Sequence, residues 1–153
     1  MTTTHDVLTD LLNRIASGDP DRIAELYAED CDWQINWPPD QHNRPETPWI
    51  RAKHTRAETA GHYREIAAHH IPEEADTQVE RILVDGPDAV VFGEIRQTAR
   101  STGQPYRARF ALHVTVRDGL IVRNHVYEDS LAVARAFENT AAPEMSARTG
   151  ARK

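Results

Sequence analysis

The sequence has a single cysteine, Cys31, among its 153 residues. One cysteine excludes an internal disulfide and a zinc site built from several thiolates, so Cys31 is expected to be a buried apolar thiol. No apolar run approaches the roughly 18 to 20 residues of a membrane span, and residues 1–10 lack the basic and then apolar order of a secretory signal. A cytoplasmic location is therefore expected.

Positive charge is scarce as well. The chain has 18 Lys and Arg against 24 Asp and Glu, and this difference gives a net charge of −6. A net negative charge disfavours electrostatic binding to phosphate backbones or anionic lipid, so neither nucleic acid nor a membrane is an expected partner. The length suits one domain. We expect that domain over residues 1–140, and the small and charged residues of 141–153 predict a disordered tail.

Apolar and capping patterns predict three helices in the first half of the chain. Residues 5–17 place apolar side chains at helical spacing. An acidic cap followed by proline predicts a short second helix within 19–30. Thr55 and Glu58 have the spacing of a capping box, which opens a third helix that ends near His69.

Alternating apolar residues predict the strands. A first strand starts at Cys31 and runs to Trp37, and the proline-rich segment 38–54 that follows is expected to be a long loop of the kind that forms lids. Four further strands, at 77–85, 89–100, 106–117 and 120–128, follow one another on short turns, before a last helix over 131–137. The helices are thus segregated from an antiparallel meander, as in α+β proteins.

Strand length then predicts the shape of the domain. Strands of ten or more residues in a twisted sheet tend to curl. A curved antiparallel sheet wrapped around helices makes a cone-shaped barrel with an interior pocket, a favourable place for an apolar small molecule.

The segment from Asp118 to Asp129, DGLIVRNHVYED, resembles the last strand of the SnoaL-like, or ketosteroid-isomerase-like, branch of the nuclear transport factor two superfamily. The GDP motif at 18–20 and the TGQ turn at 102–104 agree with it in order and spacing. The resemblance implies a cone-shaped α+β barrel, usually a homodimer through the sheet. Because the superfamily includes isomerases, polyketide cyclases, epoxide hydrolases and non-catalytic binders, the site has to decide the function.

The same resemblance implies that an acidic residue at Asp129 points into the pocket and turns the polar face of the last two strands inward. Poor solvation there would raise the pKa of the carboxylate and make it a general base. His113 on the neighbouring strand could orient it or act as the partner acid. Tyr127 or His125 could donate a hydrogen bond to a developing enolate oxygen. This set needs no metal or organic cofactor.

These residues also have a structural interpretation. Asp129, together with Ser130, is a good N-cap for the last helix. His113 could be a hydrogen-bonding group that only satisfies the sheet. Under this interpretation, the domain would be a non-catalytic ligand-binding or dimerisation module.

Aromatic residues are the expected contacts of an apolar ligand. Trp37 and Trp49 flank the proline-rich loop, and Tyr63 lies on the third helix. Their flat side chains suit a polycyclic or aromatic ligand.

Basic residues on the sheet complete the expected substrate-binding set. Arg96 and Arg109 share the polar face. Glu94 with Arg96 resembles the groups that flank the water in epoxide hydrolases of the superfamily. An ion pair of Glu94 with Arg107 or Arg109 is the simpler interpretation.

Histidines gather around the third helix, at His42, His54, His62, His69 and His70. His62 and His69 are two helical turns apart, about 10 Å along the axis, which is too far for both to bind one ion. No metal site is predicted, and these residues are expected at the surface or in a pH-sensitive patch.

The sequence therefore predicts a cofactor-independent small-molecule enzyme, a cyclase or isomerase that acts by general acid and base catalysis on an apolar, polyketide- or terpenoid-like substrate. A non-catalytic ligand-binding or dimerisation module is one alternative. An epoxide-hydrolase-like enzyme that activates water is another. The expected partners are a small apolar or aromatic ligand and a second copy of the chain.

Overall fold

The computed structural model describes residues 2–138, and the tail expected at 141–153 lies outside the described residues. Four helices and six strands follow in the order α1 (Thr4–Ser17), α2 (Pro20–Ala24), β1 (Tyr27–Ile35), β2 (Lys53–Thr55), α3 (Arg56–His69), β3 (Gln78–Asp85), β4 (Asp88–Thr98), β5 (Pro105–Arg117), β6 (Leu120–Glu128) and α4 (Ser130–Ala136). The α+β class is confirmed. None of these helices is long and apolar enough to cross a membrane.

All six strands form one sheet in the order β2-β1-β6-β5-β4-β3. The run from β3 to β6 is the predicted antiparallel meander. Strand β1 lies parallel to β6, and β2 pairs with the outer side of β1. The sheet is curved and does not close, because β2 and β3 remain its two edges. Strand β2 was not predicted, since three residues after a proline-rich loop are too few to show alternation.

Local signals place most helix ends within a residue or two of the prediction. The N-cap of α1 is Thr3, which forms a capping box with Asp6. The predicted box of Thr55 and Glu58 opens α3. The second helix ends at Ala24, earlier than predicted, because β1 already begins at Tyr27. The apolar alternation seen from Cys31 onward marks only the buried part of that strand.

The two faces of the sheet differ in polarity, and the apolar face packs against the helices. Its buried members include Cys31, Trp33 and Ile35 on β1, Ala108, Leu112 and Val114 on β5, and Ala89 and Val91 on β4. On β6 the same face carries Asn124, Val126 and Glu128, which alternate with Arg123, His125 and Tyr127 on the outer face. The polar face predicted to look into the pocket is therefore the outer face of the sheet.

Candidate functional site

Asp129 does not point into the interior. Its side chain is exposed, and Oδ1 accepts a hydrogen bond of 3.2 Å from the backbone N–H of Ala132. Strand β6 ends at Glu128, and the unpaired N–H groups in the first turn of α4 attract the next carboxylate. The expectation of an inward Asp129 is wrong, and the capping interpretation is confirmed.

His113, His125 and Tyr127 lie on the outer face as well. His113 Nε2 is 2.9 Å from Asp88 Oδ1, and His125 Nε2 is 2.9 Å from Asp32 Oδ2. Tyr127 is 46% exposed. These side chains lie together on the sheet, but they do not reach the layer between sheet and helices.

The predicted basic contacts also lie on the outer face. Arg96 Nε is 2.7 Å from Glu94 Oε1, and Arg107 Nη1 is 3.8 Å from the same oxygen. Arg109 instead pairs with Glu80 at 3.6 Å. The ion-pair interpretation of Glu94 and Arg107 is confirmed. The epoxide-hydrolase alternative loses its support because Arg96 and Asp129 share no interior site.

The predicted aromatic contacts, in contrast, are at least partly buried. Trp37 and Trp49 are 5% and 4% exposed, and Tyr63 is half-buried on α3. The ring of Trp49 packs against the rings of His70 and Phe137, with centroid distances of 5.2 and 5.3 Å. Trp37 contacts a carboxylate rather than another ring.

That carboxylate is Glu128, the residue immediately before Asp129. Trp37 Nε1 donates to its Oε2 at 2.6 Å. Burial raises the pKa of Glu128 above the ordinary 4.5; the hydrogen bond from Trp37 works against this rise, and the nearby charge of Asp129 adds to it. On β5, Phe110 is its register partner. The interior thus contains a carboxylate with raised proton affinity, one residue away from the predicted position.

A tyrosine near this carboxylate, at the same end of the sheet, is hydrogen-bonded to a histidine. Tyr106 Oη is 2.7 Å from His70 Nε2 and 3.0 Å from Gln97 Oε1. His70 Nδ1 is 2.7 Å from the carbonyl oxygen of Ile66, so Nδ1 carries the proton. Burial and the charge of Glu128 raise the pKa of Tyr106. Tyr106 also lines a surface cleft of about 410 Å³.

A second group of titratable side chains is buried where α3 meets β2. His62 is 5% exposed, and burial, followed by the charges of Lys53 and Arg51, lowers its pKa well below 6.5. Lys53 is fully buried, and desolvation lowers its pKa to about 7. His70 is 3% exposed. The expectation that the histidines lie at the surface is therefore wrong for His62 and His70.

Sequence reasoning missed Glu128, although a signal for it was present. The apolar members of β5 had to face the core, and antiparallel pairing then turns Asn124, Val126 and Glu128 inward with them. The resemblance to proteins with an inward acidic residue at Asp129 outweighed that alternation. For Tyr106 and His70 no local pattern exists, because their contact joins residues 36 apart in sequence.

Comparisons with known proteins agree with this architecture. The sequence profile of the SnoaL-like domain matches residues 8–124. No curated protein resembles the chain closely enough to count as a relative.

Several solved structures have a fold similar to that of this chain. An NTF2-like protein from Burkholderia thailandensis has a TM-score of 0.76 at 19% identity, with 90% of this chain and 99% of that chain covered. A protein from Catenulispora acidiphila with a ketosteroid isomerase-like fold, in complex with trimethylamine, has a TM-score of 0.69 at 11% identity, with 91% and 98% covered. TerC co-crystallised with polyporic acid has a TM-score of 0.73 at 17% identity, with 89% and 98% covered. These similarities establish the cone-shaped fold alone.

Proposed function

We propose that this chain, which belongs to the SnoaL-like domain family, is a cofactor-independent enzyme. The proposed enzyme moves a proton on an apolar carbonyl compound, as a cyclase or an isomerase does. Family membership alone does not assign the reaction. The observation that carries the proposal is the carboxylate of Glu128, half-buried on the inner face of the sheet and bound by Trp37.

Glu128 has the properties of a general base for a carbon acid. Its environment disfavours the charged form, so the carboxylate takes up a proton more readily than one in water. The bond from Trp37 Nε1 to Oε2 fixes the orientation of the carboxyl group. A base held in one orientation removes a proton next to a carbonyl with little reorganisation.

Tyr106 is the proposed proton donor of the site. Its phenol is hydrogen-bonded to His70 and Gln97, and the charge of Glu128 contributes to its raised pKa. A phenol can donate to the oxygen of an enolate as it forms, once its hydrogen turns from His70 Nε2 or Gln97 Oε1 toward the substrate. The aromatic rings of Trp37 and Phe110 beside Glu128 suit a flat, apolar substrate of the polyketide or terpenoid type.

The experiment that tests the proposal is the exchange of α-hydrogen for deuterium in a small apolar ketone. 2-Tetralone in D₂O, followed by proton NMR, is expected to exchange faster with the wild-type protein than in buffer at the same pH. Exchange at the buffer rate would contradict the proposal and favour a non-catalytic ligand-binding module.

A homodimer through the outer face of the sheet is the second part of the proposal. Leu83, Phe92 and Tyr127 lie there, 47%, 38% and 46% exposed. Ion pairs surround them, among them Asp32 with Arg123 and Glu80 with Arg109. Exposed apolar side chains next to charges of both signs suit a self-complementary two-fold interface.

Phe92→Asp tests this interface. A carboxylate on the outer face of β4, buried and unpaired in the dimer, is expected to convert a wild-type dimer into a monomer in sedimentation velocity. The matched control is Leu131→Asp, which places the same charge on an apolar residue that is 57% exposed but lies on α4, outside the sheet. A wild-type protein that sediments as a monomer would contradict the proposed dimer.

A further inference from the structure

Two histidines face each other on the outer face of the sheet, in the region of the proposed dimer interface. His113 on β5 and His125 on β6 are register partners, and their ring centroids are 6.1 Å apart. Their side chains are 29% and 16% exposed. Tyr127 follows His125 by two residues and therefore lies next to it on the same face. An interface that covers Tyr127 also covers this pair of imidazoles.

Each imidazole is bound to a carboxylate of a flanking strand. His113 Nε2 is 2.9 Å from Asp88 Oδ1 on β4, and His125 Nε2 is 2.9 Å from Asp32 Oδ2 on β1. An ionised carboxyl group only accepts hydrogen bonds, so Nε2 carries the hydrogen in both neutral rings and Nδ1 has the lone pair. A second proton on Nδ1 adds a donor for which these two carboxylate contacts provide no acceptor.

The groups around this histidine pair come from the strands β4, β5, β6 and β1. Those that face it are Asp88, Thr115, Arg123, Tyr127, Asp32 and Gln34. Thr115 Oγ1 donates to Asp88 Oδ1 at 2.6 Å, and Arg123 Nε is 3.9 Å from Asp32 Oδ2. Two carboxylates and one guanidinium leave a single negative charge while both imidazoles are neutral. Proton uptake by both rings reverses it to a single positive charge.

Burial in an interface favours the neutral imidazoles over the charged ones. Two imidazolium rings 6.1 Å apart repel each other and the Arg123 guanidinium. Each ring also carries an Nδ1–H that loses its water when two copies meet. In a separate copy, water solvates both the charge and the added donor. Asp88 and Asp32 attract the protons in either state, so desolvation and the second copy of the same patch make the difference between the two states.

We propose that His113 and His125 form a pH switch in the homodimer, which associates while both imidazoles are neutral and separates when they take up protons. This inference rests on the dimer of the proposed function and is independent of the proposed reaction at Glu128. An imidazole in water binds its second proton at about pH 6.5, so the switch operates just below neutral pH. Because dissociation takes up protons, the dimer dissociation constant increases as the pH falls.

Sedimentation velocity of the full wild-type chain at pH 7.5 and pH 5.5, at constant ionic strength, measures the switch. Uptake of one proton per copy is expected to make the dimer dissociation constant at least about tenfold larger at pH 5.5 than at pH 7.5. A dimer with the same dissociation constant at both pH values would overturn the switch and leave the dimer in place. A monomer at both pH values would overturn the dimer, and the switch with it.

Glutamine at both positions removes the titration but keeps a donor for each carboxylate. The dissociation constant of the double variant His113→Gln, His125→Gln is expected to change by less than about twofold between the two pH values. His5→Gln is the matched control, since His5 is an exposed histidine on α1, which packs on the other face of the sheet. The control is expected to keep the wild-type response. A double variant with the full wild-type response would overturn the assignment.

Two further measurements cover a double variant that does not dimerise and a wild type that unfolds in acid. Each single variant is expected to reduce the wild-type ratio of dissociation constants by about threefold or more, and an unchanged ratio in both would overturn the switch. Circular dichroism at pH 5.5 separates dissociation from unfolding, because the buried His62 with its lowered pKa disfavours the folded state in acid. A dimer that is lost only together with the helical signal would also overturn the switch.

Discussion

Replacing Glu128 by glutamine is expected to lower protein-catalysed deuterium exchange into 2-tetralone by about 10²-fold or more, the usual contribution of a general base. The variant isolates the chemistry from the packing. The side-chain oxygen of glutamine can still accept the hydrogen bond that Trp37 Nε1 donates to Oε2 at 2.6 Å. What is lost is the ability to remove a proton.

Asp129→Asn is the matched control, one residue along the chain. Asparagine is as good an N-cap as aspartate, so α4 remains capped. Exchange is expected to stay within about threefold of wild type. Removal of the Asp129 charge should lower the pKa of Glu128, so the rise of rate with pH should move to lower pH. If Asp129→Asn loses the exchange and Glu128→Gln keeps it, the assignment of the base is wrong.

Lys53→Met is expected to remove a large pH dependence of stability. Lys53 is fully buried. Its Nζ donates to the carbonyl oxygens of Trp49 and Arg51, at 2.6 and 3.0 Å. The same nitrogen lies 5.0 Å from the ring centroid of Trp33. Desolvation, with the charge of Arg51, lowers its pKa from 10.5 to about 7, although Glu65 and Glu58 oppose this shift.

The sign follows from proton binding in the two states. Between about pH 7 and pH 10.5 the unfolded chain holds the Lys53 proton and the folded chain has released it, so this residue makes the free energy of unfolding increase with pH. The limiting slope is about 1.4 kcal/mol per pH unit. Below pH 7 both states are protonated and the contribution is constant.

Two other groups oppose this trend at high pH. Burial raises the pKa of Cys31 and of Tyr63 to about 12, so both lower stability once the unfolded chain loses their protons. Because wild type and Lys53→Met share them, the difference between the two proteins isolates the lysine. Urea unfolding at half-unit steps from pH 6 to 9 measures it. Arg117→Met, which removes an exposed positive charge, is the control. Parallel curves for wild type and Lys53→Met would show that the lysine keeps its proton when folded.

Much of the fold could be predicted because its signals are local. The strand at 120–128 was predicted with the boundaries that the structure has, and the four-strand meander follows from turn chemistry between alternating segments. The capping box of Thr55 and Glu58 opens α3 as predicted. These elements need no knowledge of which surfaces meet in space.

For the candidate site, the kind of catalytic group could be predicted from the sequence, but not the residue that provides it. A carboxylate near the end of β6 was expected to be the base, and the inward one is Glu128 rather than Asp129. A difference of one residue on a strand exchanges the two faces of the sheet. The other residues that were predicted to line the pocket from the same face of the sheet accordingly lie on its outer face: His113, His125, Tyr127, Arg96 and Arg109.

The unpredicted part depends on contacts between distant residues. The burial of His62 follows from its packing on Trp33, which is 29 positions earlier in the chain and belongs to another element. The partner of Trp37 is Glu128, 91 positions later. Composition and periodicity cannot predict such pairs, because they relate a residue only to its neighbours in sequence.

The titration of the Glu128 carboxyl group tests the central claim most directly. Carbon-13 NMR of protein labelled at the glutamate carboxyl carbons, compared between wild type and Glu128→Gln, assigns the one signal that the variant lacks. A titration midpoint clearly above 4.5 is the expected result, since burial raises this pKa. A midpoint at or below 4.5 would contradict the account, because Glu128 would then be a well-solvated or strongly paired carboxylate and not a base made stronger by the interior of the domain.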